Sequence, residues 1–223
     1  MRAVTYLGHN SFEVRLGNIV MLFSPVVAEQ IGQHRRLIKS ALNPRNVREC
    51  DMIFLPNEEP TNCEPPTIKE VAERCFSIVI APKPALSKID ISERFKVEVH
   101  VQDKFTLKGI DVEVIRAVHP QSQYPVGYLL KGDGLSLYYA GDTYSFTDMG
   151  RIRCDVAIVP IGGGATMDPF AASSAVKEMR PKIAIPMGYN TFEKNMQEPS
   201  EFADDLGSGT KGVVLKVGQQ VRL

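Results

Sequence analysis

The sequence predicts an α/β (α+β) fold in which two packed sheets carry helices on their outer faces. Strand-like segments and hairpins fill most of the 223 residues, and strand and helix alternate towards the C-terminus. Sheets and helices must each bury an apolar face, which such layers achieve. A hydrophobic content of 43% is enough for a substantial core. No linker or low-complexity tract interrupts residues 1–223, so we expect one domain.

The N-terminal half is predicted to be rich in strands. Short apolar runs bounded by turn residues indicate strands at about 2–7, 11–16, 18–24, 51–55, 77–81, 96–101 and 104–108. The first turn is Gly8-His9-Asn10. Pro65 and Pro66 suit the start of an amphipathic helix that continues to Cys75. The basic stretch around His34 is predicted to be helix-like.

The centre of the chain places two ionisable groups at strand ends. Residues 110–118 alternate apolar and polar side chains and lead directly into His119. Residues 127–131 and 135–140 then form a predicted hairpin whose second strand runs into Gly141-Asp142-Thr143. Loops at the ends of rigid strands are where proteins most often present chemical groups.

The C-terminal third is predicted to alternate strand and helix. Strands are expected at 156–160, 183–186 and 213–217, and a short helix at 199–206. Asp168 is suited to cap a helix over 169–179, with Pro169 in its first position.

Composition excludes several classes of protein. The net charge is zero, which favours neither nucleic acid nor an anionic membrane as a partner. No apolar run approaches the ~18 residues of a membrane span. The four cysteines show no Cys-x-x-Cys spacing and no signal peptide is evident, so a reduced, cytoplasmic protein is expected. Basic residues cluster between 35 and 48, and a solvated surface is favoured there over an anion-binding patch.

The motifs taken together resemble the metallo-β-lactamase superfamily, in particular its stand-alone metal-dependent-hydrolase-like members, which include lactonase and phosphodiesterase relatives. The matching segments are Val4 to Phe12, His119 with the Pro125-x-Gly-Tyr hairpin and Ala140-Gly141-Asp142-Thr143, Ala157 to Gly163, Thr166-Met167-Asp168, and Ile185 to Phe192. The resemblance is weakest between Ala28 and Arg48. It implies a four-layer αββα sandwich with the site at one edge, between the sheets.

The resemblance also implies that most metal ligands are substituted. In its register, Asn57, Glu59, Thr61, Asn62 and Gly188 stand at ligand positions of the family. His119 and Asp142 are the only two residues that keep the ligand pattern. The chain has four histidines in all, His9, His34, His100 and His119, too few for the roughly five imidazoles of a two-zinc site.

Two interpretations of the remaining groups stay open. Glu59, His119 and Asp142 form a one-His, two-carboxylate set that could hold a single Zn, Mn or Fe ion. Alternatively, Glu58 and Glu59 are solvated loop charges, Asp142 organises its turn and His119 is a hydrogen-bonded remnant. Either way His119 and Asp142 are the candidate catalytic groups. The candidate substrate-binding residues are His9, Asn57, Asn62 and Tyr189.

We therefore expect a hydrolase-like protein whose metal site is mostly substituted, catalytically silent or altered, and acting as a binding module for a small molecule in the cleft. The alternative is a hydrolase that uses one metal ion on phosphodiester, ester or lactone bonds. Residues 28–50 depart most from the family and are the candidate contact region of a homo-oligomer.

Overall fold

The computed structural model describes all 223 residues and contains sixteen strands and four α-helices. The strands are β1 (Ala3–Gly8), β2 (Ser11–Leu16), β3 (Ile19–Phe23), β4 (Gln30–Ile31), β5 (His34–Arg35), β6 (Met52–Phe54), β7 (Ile78–Ala81), β8 (Lys96–Glu98), β9 (Lys104–Leu107), β10 (Ile110–Arg116), β11 (Val126–Gly132), β12 (Leu135–Tyr139), β13 (Val156–Pro160), β14 (Ile183–Met187), β15 (Lys211–Gly212) and β16 (Gln220–Arg222). The helices are α1 (Pro65–Cys75), α2 (Lys83–Leu86), α3 (Pro169–Met179) and α4 (Pro199–Asp205). None of them is both long and apolar enough to cross a membrane.

Two seven-stranded sheets form the framework. The first has the order β16-β1-β2-β3-β6-β7-β8 and the second β15-β14-β13-β12-β11-β10-β9. The C-terminal strand β16 joins the first sheet, where it pairs antiparallel with β1. Each sheet combines antiparallel hairpins with parallel strands, as the mixture of hairpins and βα units predicted.

Aromatic side chains fill the space between the sheets. The ring of Phe23 lies 5.0 Å from that of Phe54 and 4.6 Å from that of Tyr139, and Phe54 meets Tyr128 at 5.0 Å. Phe23 and Phe54 come from the first sheet, whereas Tyr128 and Tyr139 come from the second. This contact locks the two sheets together.

The helices cover the outer faces. Ile68 and Val71 of α1 pack with Ile53 and Val79 of the first sheet in a cluster separate from the main core. The buried face of α3 belongs to the core of the second sheet. The predicted four-layer αββα sandwich is therefore confirmed.

Both predicted helix starts are confirmed by their local chemistry. Two prolines occupy the first turn of α1, where no backbone N–H is needed for the helix. The Asp168 carboxylate accepts a 2.8 Å bond from Ala171 N and so caps α3.

Three predicted elements are wrong. Residues 213–217 form no strand, and the last strand is β16. His100 lies just beyond β8 and is exposed. The stretch around His34 is not helical but forms the β4–β5 hairpin, because Arg36 N bonds back to Glu29 O at 2.8 Å.

Candidate functional site

Five loops meet at one edge of the sandwich. They are the β1–β2 turn with His9 and Asn10, the loop after β6, and the turns that follow β10, β12 and β14. Strand register brings the loops together. Val126 N bonds to Pro56 O at 2.8 Å and Gly188 N to His9 O at 3.1 Å. The edge that the resemblance implied is therefore where the candidate residues gather.

Asp142 lies at the centre of a buried amide network. Its two carboxylate oxygens accept bonds from Asn62 Nδ2 at 2.6 Å and from Asn10 Nδ2 at 3.0 Å. Asn10 Nδ2 also donates to Asn62 Oδ1 at 2.9 Å, and Ser24 Oγ donates to the same oxygen at 3.0 Å. Charge-assisted bonds of this kind satisfy a buried carboxylate without an ion.

Asn57 extends this network to the loop after β6. Its Oδ1 accepts from Glu59 N at 2.9 Å and from Asn62 Nδ2 at 3.2 Å. The Nδ2 of Asn57 and the Oδ1 of Asn10 are buried without a hydrogen-bond partner. Those two atoms are the unsatisfied polar groups of the network, whereas the remaining side-chain atoms are paired.

Gly188 is closed to a larger side chain. Its φ is +74°, and a Cβ there would lie 2.9 Å from Asn10 Oδ1. The Asn10 amide therefore lies against the position from which a histidine at 188 would extend. Sequence reasoning did not identify Asn10 or Ser24, because asparagine and serine in a turn and at a strand end carry no signal of their own.

His119 is buried and presents one free nitrogen. Its Nδ1 lies 3.1 Å from the carbonyl of Ala165, which can only accept, so the Nδ1 carries the proton. In the neutral ring Nε2 is then a free acceptor. The loop is held in place by the 2.8 Å bond from Val118 N to Thr143 Oγ1, next to Asp142.

The adjacent glutamates Glu58 and Glu59 differ sharply. Glu58 is buried and its carboxylate accepts from Ser122 Oγ at 2.8 Å and from Gln123 N at 2.6 Å. The expectation that Glu58 is a solvated charge is wrong, because it ties the loop after β6 to the loop of His119. Glu59 is half-buried and its carboxylate makes no hydrogen bond, although Asp142 and His119 are near enough to influence its pKa. Desolvation raises its pKa.

His9 and Tyr189 line the same edge. His9 adopts φ +57°, its Nδ1 lies 3.1 Å from Thr191 Oγ1, and its ring meets Phe192 edge-on at 5.2 Å. Burial lowers the pKa of His9 to about 4, opposed by the nearby charge of Asp142. Tyr189 is also buried, which raises its pKa to about 12. Both are neutral at pH 7.

Two divalent ions do not fit these residues. The amides of Asn57 and Asn62 and the bare backbone of Gly188 supply no imidazole nitrogen, and Asn62 already donates to Asp142. One ion suits the donor chemistry of Glu59, His119 and Asp142. However, no group of three or more His, Cys, Asp or Glu side chains is arranged to hold a metal ion. A single-ion site therefore needs the unbonded Glu59 side chain to turn.

Sequence and structure comparisons identify relatives of the whole chain. Residues 3–188 match the model of the beta-lactamase superfamily domain. A UPF0173 metal-dependent hydrolase of Thermococcus kodakarensis is 30% identical over 236 residues, and one of Pyrococcus furiosus is 31% identical over 237, each match covering 100% of both chains. Igni18, a metallo hydrolase of Ignicoccus hospitalis, shares the fold with a TM-score of 0.83 at 24% identity, over 100% of this chain and 98% of its own.

The match to the domain model covers well over half of the chain, and full-length relatives reach 30% identity. The matched residues 3–188 span both sheets and include the loops of His119 and Asp142. The chain belongs to the metallo-β-lactamase superfamily, among relatives named as metal-dependent hydrolases.

Proposed function

We propose that this protein hydrolyses a small molecule with an ester, lactone or phosphodiester bond, and that its cleft uses at most one divalent ion. Membership of the superfamily and the names of its relatives support hydrolysis. The limit of one ion rests on a single observation, the 2.6 Å bond from Asn62 Nδ2 to Asp142. That amide hydrogen occupies one lone pair of the carboxylate, which leaves Glu59 and His119 as the other ligands, too few for two ions.

His119 and Glu59 are the groups that move protons or hold the ion. With Nδ1 bound to Ala165 O, the imidazole is fixed in the tautomer whose Nε2 accepts. Glu59 has no competing hydrogen bond, and its raised pKa brings it nearer to the working range of a general base or acid. When bound, an ion would supply an activated water and polarise the substrate oxygen. Asp142 stays in place through its two amides and orients this side of the cleft.

A second candidate function is a metal-free binding module. The observation that favours it is that amides alone satisfy both oxygens of Asp142, so the fold needs no ion at this edge. In that case Glu59 and His119 contact a ligand without turning it over. The two candidates differ in metal content and in turnover.

The test begins with protein purified without chelator and incubated with excess Zn or Mn. We expect at most one equivalent by elemental analysis, and slow, chelator-sensitive turnover of at least one substrate class. His119→Ala should abolish turnover. Glu59→Gln should abolish metal binding while leaving the circular dichroism spectrum unchanged, since it removes charge at nearly constant volume.

Glu73→Gln, on the outer face of α1, is the matched control and should bind metal as the wild type does. Two tightly bound ions would overturn the assignment of one ion at most. A wild-type protein that binds no metal and turns over none of the substrates would contradict the hydrolase proposal and favour the binding module.

A further inference from the structure

A cavity of about 650 Å³ lies beside the candidate site, between the β4–β5 hairpin with the residues that follow it and the turn of Glu193. The ring of Phe192 lies 5.2 Å from that of His9 at the candidate site and 6.3 Å from that of His34, which lines the cavity. The main chain closes the cavity, because Leu37 N bonds to Thr191 O at 2.8 Å. None of its lining residues belongs to the Asp142 network.

Arg36 is the unusual feature of this cavity. It is the one lysine or arginine of the chain that is buried, with 8% of its surface exposed. The guanidinium donates only to backbone carbonyls, to Val26 O at 2.9 Å and to Ile38 O at 3.3 Å, and its Nη2 has no partner. A buried cation normally has a carboxylate or phosphate beside it.

The nearest acidic side chain does not serve as that partner. The Glu64 carboxylate is bonded to the backbone N–H groups of Val27 and Ala28 and forms no ion pair with Arg36. Burial lowers the pKa of Arg36 by more than the neighbouring Tyr6 and Glu64 raise it, which reflects this missing compensation. An arginine nevertheless stays protonated, so the charge remains in place.

The charges around Arg36 leave a net positive cavity. Arg35, Arg36 and Lys39 line it against Glu29 and Glu193, and Lys39 lies 3.5 Å from Glu29 as an ion pair. Three cations against two carboxylates leave one positive charge without a counter-charge. The planar guanidinium suits an oxyanion, which accepts several N–H bonds at once.

We propose that this cavity is a binding site for the phosphate or carboxylate group of a small molecule, with Arg36 as its buried counter-charge. Because Nη2 is buried against Gly8, the oxyanion that enters past Arg35 and Lys39 balances the charge of Arg36 from within the cavity. The sequence indicated a basic segment here, for which a solvated surface was favoured. That interpretation does not hold for Arg36. The site is independent of whether the neighbouring cleft hydrolyses anything.

The test is anion binding by the full chain. Inorganic phosphate and acetate are titrated separately by calorimetry, with chloride holding the ionic strength constant. We expect saturable binding of at least one, and the two titrations distinguish the phosphate class from the carboxylate class. Arg36→Lys, which keeps the charge but loses the fork of donors, should weaken binding at least tenfold. Arg35→Gln should weaken it a few-fold.

Two matched controls separate this site from general surface charge. Arg48→Gln makes the same charge change outside the cavity and should leave binding unchanged. Glu193→Gln removes an exposed cavity acid and should strengthen binding, whereas Glu201→Gln on α4 should not. The Glu193 variant keeps the proposal testable even if Arg36→Lys fails to fold. No saturable binding of either anion, or equal losses in Arg35→Gln and Arg48→Gln, would overturn it.

Discussion

The two sides of the cleft have opposite chemistry. On one side Asn10, Asn57 and Asn62 surround Asp142, and all polar side-chain atoms of the four residues except Asn10 Oδ1 and Asn57 Nδ2 are paired. On the other side His119 Nε2 and the Glu59 carboxylate carry no hydrogen bond. Paired neutral amides hold a structure rigid, whereas unpaired ionisable groups are available for a ligand, an ion or a proton. Amide side chains can therefore stabilise one half of a site while the other half keeps reactive groups.

The strongest test of the side around Asp142 is the substitution Asn62→Asp. The change places a second carboxylate against Asp142, where an amide now donates at 2.6 Å, in a fully buried position. Two buried like charges that have lost the amide donor of Asn62 should lower the free energy of unfolding by about 3 kcal/mol at pH 7. Urea denaturation measures this.

Thr61→Asp is the control for Asn62→Asp, because Thr61 is half-buried and lies next to it. We expect Mn²⁺ to restore part of the stability of Asn62→Asp and none in the control. If Asn62→Asp is as stable without metal as the wild type, the hydrogen-bond network of Asp142 does not stabilise this edge.

A second test uses pH and the turn that carries Asn10. The pKa of His9 is lowered from 6.5 to about 4 by burial, so the unfolded chain binds more protons between those values. The contribution of His9 to stability is complete above pH 6.5 and is lost as the pH falls towards 4. The loss should be on the order of 2 to 3 kcal/mol. Denaturation at several pH values measures it.

His9→Asn isolates this contribution, since asparagine tolerates the φ of +57° and does not titrate. The stability of the wild type relative to the variant should decline over that pH window. Parallel pH profiles for the two proteins would contradict the assignment to His9.

Glu58→Gln tests the side of the cleft that carries His119 and Glu59. The carboxylate bonds to Ser122 Oγ and Gln123 N hold the loop of His119, and an amide can keep only part of them. We expect a loss of about 1 to 2 kcal/mol in unfolding free energy, because bonds to a charged acceptor are stronger than neutral ones. Hydrogen exchange of the amide of Gln123 should become faster. If the Gln123 amide exchanges at the same rate in the variant, Glu58 does not hold the loop of His119.

Glu59→Gln should have the smallest effect on stability. Its carboxylate makes no hydrogen bond, and desolvation raises its pKa, so the charged form is slightly disfavoured by folding. We expect a change within about 0.5 kcal/mol, with a small gain at pH 7 as the direction. The same denaturation series measures it beside Glu58→Gln. A large loss would mean that Glu59 has a structural partner.

Local patterns in the sequence were sufficient for much of the framework. The capping of α3 by Asp168, the prolines that start α1 and the alternation in β10 follow from interactions over a few residues. The same patterns put His119 and Asp142 just beyond strand ends. The β4–β5 hairpin was missed because those strands are two residues long and have no apolar period.

By itself the sequence determined the layered fold, through apolar periodicity, and indicated that too few histidines remain for two zinc ions. Only the tertiary structure decided which groups Asn10, Asn62 and Glu58 contact. Asn62 meets Asp142 from 80 residues away, Asn10 from 132, and Glu58 meets Ser122 from 64. The burial of Arg36 beside Gly8 likewise depends on residues that are distant along the chain. Periodicity reports which face of an element is apolar. Polar pairs between distant loops depend instead on how the two sheets bring those loops together.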